Sequence, residues 1–229
     1  MKDIDKILVI AAHPDDEMLG CGGTILKLSR KGAKIRVLFL GEGSTCRFKD
    51  PESAEALEAV KLRNSAALKS LAAIGINDYK FCNLPCGRFD QVPIIEINKL
   101  IENEIQEFKP DKLFTHSDTD SNNDHRIVYR ASIMATRPCN DYVVSQLLCY
   151  EVLSSSEWSY GESFNPNYFV ELEHIDIEQK WKALKCYADE MREYPFPRSY
   201  EGVLNLAMQR GMQCGKKYAE AFKLIRVFK

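Results

Sequence analysis

No stretch of this 229-residue chain is apolar over the roughly 20 residues that a membrane-crossing helix needs. Neither sign of charge is in excess: 31 lysines and arginines stand against 33 aspartates and glutamates, a formal net charge of −2. That balance excludes a polybasic nucleic-acid binder and a self-repelling acidic tail. The chain has no internal repeat, no low-complexity tract and no linker that forces a domain boundary, so solenoid and disordered architectures are set aside. Its first residues, MKDIDKILVI, carry acids and run straight into a strand, which is not the pattern of a signal peptide. The cytoplasm is the expected compartment. None of the eight cysteines forms a CxxC pair, and the nearest two, in CNLPC, have the wrong spacing for a redox motif or a zinc ribbon. Reduced thiols, several of them packed in the core, are expected.

What is present is an alternation of short apolar runs with longer amphipathic ones. Lys6 to Ala11, Lys34 to Leu40, Tyr79 to Asn83 and Lys112 to His116 read as strands. Between and after them, Leu19 to Arg30, Ala54 to Ile74, Val92 to Phe108 and Asp124 to Thr136 read as helices. Leu57, Val60, Leu68 and Leu71 mark the apolar face of the second helix, and Ile97, Ile101, Ile105 and Phe108 that of the third. The last third is less regular: a strand over Leu147 to Val152, a long loop, helices over Ile177 to Arg192 and Tyr200 to Arg210, and a final strand over Phe222 to Val227. The order implies one α/β domain over residues 1–229, a Rossmann-like, mostly parallel sheet with helices on both faces. Ligands of such sheets sit beyond the carboxyl ends of the strands.

Two polar clusters fall on that rim. ILVIAAHPDDEMLGCGG, residues 7–23, ends its buried-looking strand in a histidine, a proline and three acids. THSDTDSNNDHR, residues 115–126, follows the fourth strand. His13, Asp16 and His125 form a set of two imidazoles and one carboxylate, which binds a divalent zinc ion and leaves a position open for water. Asp15, between two ligands in sequence, is then free to move a proton. Taken singly, Asp15 or Asp16 reads equally as a helix cap, and His125 as a helix-terminal histidine.

AHPDDEMLGCGGT closely resembles the signature of the PIG-L/LmbE-like zinc-dependent N-deacetylase family. NNDHR resembles that family's second metal motif, and FPRSYEGVLNLAMQRGMQCGKKYAEAF its C-terminal pattern. The resemblance implies that His13, Asp16 and His125 hold one zinc ion per chain, another divalent transition metal being the alternative. It implies that Asp15 is the general base, that Asp124 orients a neighbouring group, and that Arg63 touches the substrate unless it lies on a solvated helix face. The implied reaction is hydrolysis of the acetamide of an N-acetylated amino sugar or its conjugate, giving acetate and a free amine. YEVLSSSEW and FNPNYF resemble a subgroup associated with surface-polysaccharide or modified-sugar pathways. The implied partner is a sugar-type small molecule, with no nucleic acid, and the sequence leaves open a homo-oligomer.

Two positions depart from the family pattern. Asn122 stands where many members place a histidine that stabilises the oxyanion or protonates the amine, and Leu84-Pro85-Cys86 replaces Leu-Pro-Asp. Asn122 is therefore a candidate donor to the oxyanion but not a proton source. Proton return then falls to Asp15 or, less simply, to His116. Two rivals remain at this stage. One is a metal hydrolase acting on a formyl or phosphoester group. The other is a sugar- or nucleotide-binding protein using GCGGT, although that run is not GxGxxG and follows an acidic turn. The first and fourth strands must be neighbours if Asp16 and His125 are to share an ion.

Overall fold

The computed structural model describes residues 5–228. Seven strands form one sheet in the order β3-β2-β1-β4-β5-β7-β6. β1 (Lys6–Ala11), β2 (Lys34–Gly41), β3 (Asp78–Leu84), β4 (Lys112–Thr115) and β5 (Gln146–Tyr150) run parallel. β7 (Tyr218–Val227) lies antiparallel between β5 and β6 (Tyr168–Leu172). The expected neighbours meet: Val9 of β1 is in register with Phe114 of β4. The strand order therefore reverses direction beside β1, the position at which ligands of open α/β sheets bind.

β1 is apolar from Ile7 to Ala11 because both of its faces are covered there. Ile7, Val9 and Ala11 point into a layer shared with α1 (Asp16–Arg30), α2 (Ala54–Ala73), α5 (His174–Leu184) and α6 (Tyr200–Cys214). Leu8, Ile10 and Ala12 point into the opposite layer, under α3 (Ile94–Phe108) and α4 (Asn123–Ala135). In α3 the face of Ile97, Ile101, Ile105 and Phe108 is buried as expected. α2 differs from expectation. Leu57 is 51% exposed, and the buried positions are Ala56, Arg63, Ala67, Ser70 and Leu71. Small residues make up most of the buried face of this helix, and a cation, Arg63, is turned inward among them.

The last third also corrects the sequence reading. α5 stops at Leu184 instead of continuing to Arg192, and a run of turns follows. Tyr187 and Glu190 in that run are buried, drawn off a helical path by polar partners near the strand ends. β6 gives little periodic signal in sequence because only Leu172 of its residues is buried.

The glycine run at 20–23 has a packing role. A Cβ on Gly20 would lie 2.1 Å from the Tyr150 ring, whose hydroxyl donates to Ile10 O at 2.7 Å. α1 is kinked at Cys21, with φ −141°, so the turn around it loses regular helical bonding. A buried ion pair repairs the break. Glu220 accepts from the amides of Gly23 at 2.9 Å and Thr24 at 2.7 Å, while Lys180 Nζ donates to Leu19 O at 2.8 Å and to Glu220 at 2.7 Å. The amides that a phosphate-binding reading would use are thus consumed by a carboxylate. Removing one partner of a buried, hydrogen-bonded ion pair costs about 3–5 kcal/mol. Glu220→Ala should lower the unfolding free energy by about that amount. A denaturant titration showing a loss below ~1 kcal/mol would mean that Lys180 and the two amides find other partners.

Candidate metal centre

The turn after β1 is built around Asp15 and Asp16. Asp16 Oδ2 accepts from the backbone amide of His13 at 2.8 Å, which closes the turn and turns the carboxylate toward His125. Asp15 precedes α1 with φ 120°, in the left-handed region that favours glycine. Its side chain makes no helix-capping hydrogen bond, so the capping alternative does not describe it. Strain held at one residue of a buried polar cluster points to a role for that side chain.

His13, Asp16 and His125 come together. Their ligand atoms lie within 4.8 Å of one another, and all three residues are buried. His13 Nδ1 is 3.5 Å and His125 Nε2 3.3 Å from Asp16 Oδ2. The far nitrogen of each ring faces another acid. His13 Nε2 pairs with Asp124 Oδ2 at 2.9 Å, and His125 Nδ1 lies 3.2 Å from Asp120 Oδ2. Asp124 is fixed in turn by the amides of Gly87 at 2.6 Å and Phe89 at 3.2 Å. Asp120 is held by Ser156 Oγ at 2.9 Å, by Ser155 Oγ and by the Asn122 amide at 2.8 Å. Carboxylates behind imidazoles select which nitrogen points forward and raise its basicity, the usual support for a metal-binding histidine.

Charge leads to the same reading. Burial opposes a charged His13, yet its bonds to Asp124 and Asp16 raise it to about 9. Burial likewise opposes charge on His125, and Asp16 and Asp120 raise it to about 10. Burial alone would push the Asp16 carboxyl up, but His125, His116 and His13 hold it well below the ordinary carboxylate range. Without a metal, protons on the two rings offset much of the charge of the three buried acids; a divalent cation, which needs both rings neutral, would take the place of those protons. His13, Cys86 and Asp124 form a second close donor set, but His13 Nε2 and Asp124 already bond each other.

Asp15 lies beside the ligands and is held by two arginines. Arg63 Nη2 donates to Asp15 Oδ2 at 2.9 Å and Arg198 Nη1 at 2.6 Å. Arg63 also donates through Nε to Pro14 O at 2.7 Å and pairs with Glu190, so it is not on a solvated helix face. Arg47 joins Glu190 at 2.6 Å. Burial pushes the Asp15 carboxyl up, against the pull of Arg198 and Arg63. Glu17, the third acid of the run, accepts from the Asp15 amide at 2.9 Å and from Tyr187 Oη at 2.7 Å, and burial pushes it up to about 8.

The sequence reading did not single out Arg198, Glu190, Asp120, Glu17 or Tyr187. Arg198 stands in the Pro-Arg-Ser of the tail and Asp120 two residues before Asn122, so both signals lay inside quoted segments. Asn122 Oδ1 accepts from the Asp124 amide at 2.9 Å and caps α4, which leaves its Nδ2 as the donor end. His116 is fully buried; its Nε2 accepts from the Ala12 amide at 2.9 Å, and Tyr150 Oη is 3.1 Å away. Burial lowers His116 to about 3, so it is neutral.

Known proteins share this arrangement of chain. An uncharacterized deacetylase of Escherichia coli, YaiS, is 28% identical over 185 residues, covering 78% of this chain and 88% of the relative. The diacetylchitobiose deacetylase of Thermococcus kodakarensis is 25% identical over 232 residues, covering 97% of this chain and 84% of the relative. The N,N'-diacetylchitobiose deacetylase of Pyrococcus horikoshii superposes with a TM-score of 0.78 at 24% identity, over 98% of this chain and 85% of that one. GalB of Pseudomonas putida, a 4-carboxy-2-hydroxymuconate hydratase, superposes at 0.77 with 20% identity over 99% of both chains, so the fold alone does not fix the reaction. The model of the PIG-L family, described as GlcNAc-PI de-N-acetylase, matches residues 8–136, more than half of the sequence and both polar clusters, and the chain belongs to that family.

Proposed function

We propose that this protein is a single-domain, cytoplasmic, zinc-dependent hydrolase that removes the acetyl group from an N-acetylated amino sugar or its conjugate, in surface-polysaccharide or modified-sugar biosynthesis. The observation that carries this reading is the convergence of His13 Nδ1 and His125 Nε2 on Asp16, each ring backed by its own carboxylate. The deacetylase relatives supply the reaction class. Among the described residues no helix is long and apolar enough to cross a membrane.

His13, Asp16 and His125 are the residues to hold the zinc. When bound, zinc supplies Lewis-acid polarisation of the acetyl carbonyl and acidifies the attacking water. Asp15 takes the proton from that water. Arg63 and Arg198 fix the Asp15 carboxylate by one oxygen, which leaves the other for proton transfer. Arg63 serves the substrate through this contact. Asn122 Nδ2 donates to the oxygen that gains charge, and Asp15 returns its proton to the departing amine. His116 is unsuited to that last step, because it is neutral and already occupied by the Ala12 amide.

Acetate release from a panel of N-acetylated amino sugars, with N,N'-diacetylchitobiose among them, tests the function. Turnover should vanish with a chelator and return with zinc. Release of formate or phosphate, or acetate release unaffected by the chelator, would transfer the site to another chemistry. Asp15→Asn should keep its zinc and lose ~10²-fold or more in turnover. Loss of zinc from that variant, or normal turnover, overturns the role given to Asp15. Arg198→Ala should keep zinc and lower kcat about tenfold or more with little change in KM, because it displaces the base and not the ligands. His116→Gln, which retains an acceptor for the Ala12 amide, should cost roughly tenfold or less. A loss as deep as that of Asp15→Asn with zinc in place makes His116 the proton donor.

A further inference from the structure

Cys46 and Cys86 lie outside the proposed mechanism, yet they sit against it. Cys46 belongs to the short 3-10 turn Thr45–Arg47 beyond β2, and Cys86 to the turn beyond β3. Their sulfurs are 3.1 Å apart across 40 residues of sequence. Cys46 is exposed and Cys86 buried. Glu42 brings the two turns together: its carboxylate accepts from the amides of Ser44 at 2.6 Å, Thr45 at 2.9 Å and Cys86 at 2.7 Å. Gly87, the next residue, donates its amide to Asp124, which holds His13. One side of the thiol pair thus meets solvent, and the other is one residue from the support of a metal ligand.

The geometry points to a redox-modifiable thiol pair: Cys46 and Cys86 close to a disulfide on reaction with a low-molecular-weight disulfide, and the closure loosens the metal centre. Exposed Cys46, as thiolate, attacks one sulfur of the reagent RSSR, forming Cys46–S–S–R and releasing RS⁻. Cys86 loses its proton and attacks Cys46 Sγ, and the second RS⁻ leaves. In sum two protein thiols become one disulfide, RSSR becomes two RSH, and two electrons pass to the reagent. The contact with Cys86 lowers the Cys46 thiol below its ordinary range, while the same contact and burial push Cys86 up, so Cys46 is the attacking thiol and Cys86 the slower, resolving one. Bond formation needs the sulfurs to approach by a further ~1 Å. Both residues lie in turns, and the approach pulls on the Gly87 amide that fixes Asp124. Disturbing the support behind a metal-binding histidine weakens metal affinity about tenfold or more.

The experiment treats the full chain with oxidised glutathione and maps the products by peptide mass. Zinc affinity of the reduced and oxidised forms is read by competition with a chromophoric chelator. Expected are a reducible Cys46–Cys86 cross-link formed ahead of any other pairing, and zinc held about tenfold or more weakly until dithiothreitol is added. Cys46→Ser should bind zinc as the reduced protein does, before and after treatment with the reagent. No cross-link, a cross-link between other cysteines, or a Cys46–Cys86 cross-link with unchanged zinc affinity overturns the inference. Because the inference about metal affinity rests on the zinc reading, the two fail differently: a reduced protein without zinc affinity removes the metal centre, whereas the cross-link is read by mass alone.

Discussion

Buried negative charge is the constraint around which this molecule is arranged. Asp16, Asp120 and Asp124 are each about 1% exposed, and they surround two imidazoles above the ends of β1 and β4. Carboxylates taken out of water are costly unless positive charge or many hydrogen bonds meet them. Backbone amides of His13, Gly87, Phe89 and Asn122 provide part of the compensation. The rest must come from cationic histidines or from a cation held between them. The parallel pairing of β1 with β4 matters for this reason: it sets the two loops at a distance where one ion can serve both.

Asp15 faces the same problem and meets it differently. Arg63 comes from α2, Arg198 from the turns before α6, and Glu190 from the run after α5. Glu190 also binds Arg47, so two acids, Asp15 and Glu190, alternate with three arginines. The residues supplying this network are far apart in sequence, so the C-terminal third is as much a part of the centre as the first turn. The break of α5 at Leu184 and the inward Arg63 of α2 are local departures from regular helical packing that deliver these charges.

How much of this was legible in sequence follows from the range of the signals. The parallel core of the fold was readable because a strand buried on both faces is apolar at every position and its helices repeat at a fixed spacing. β1 follows that rule from Ile7 to Ala11, and α3 along the face of Ile97, Ile101, Ile105 and Phe108. The close set of His13, Asp16 and His125 was readable because His13 and Asp16 share one turn and His125 sits in a segment of family-like pattern. The residues that were missed act at long range. Arg198 meets Asp15 across 183 positions and Tyr187 meets Glu17 across 170, and no periodicity encodes such a contact. Arg63 was placed in the right helix but on an uncertain face, because a helix that buries alanines, a serine and an arginine has no hydrophobic stripe to orient it.

Asn122 shows how a departure from a family pattern is absorbed. Its amide oxygen caps α4 by accepting from Asp124, the residue that holds His13. Capping fixes the first turn of the helix that also carries His125, so the position shapes the placement of both His13 and His125. A histidine there can donate a proton, whereas an asparagine can only donate a hydrogen bond. Under the proposed function the proton then comes from a carboxyl whose affinity for it is raised. Asp15 meets that condition, because burial pushes it up while two arginines keep it in place. The backbone strain at Asp15 fits the same demand. A relaxed turn would carry this side chain elsewhere, and the bonds from Arg63 to Pro14 O and to Asp15 hold the turn against that relaxation.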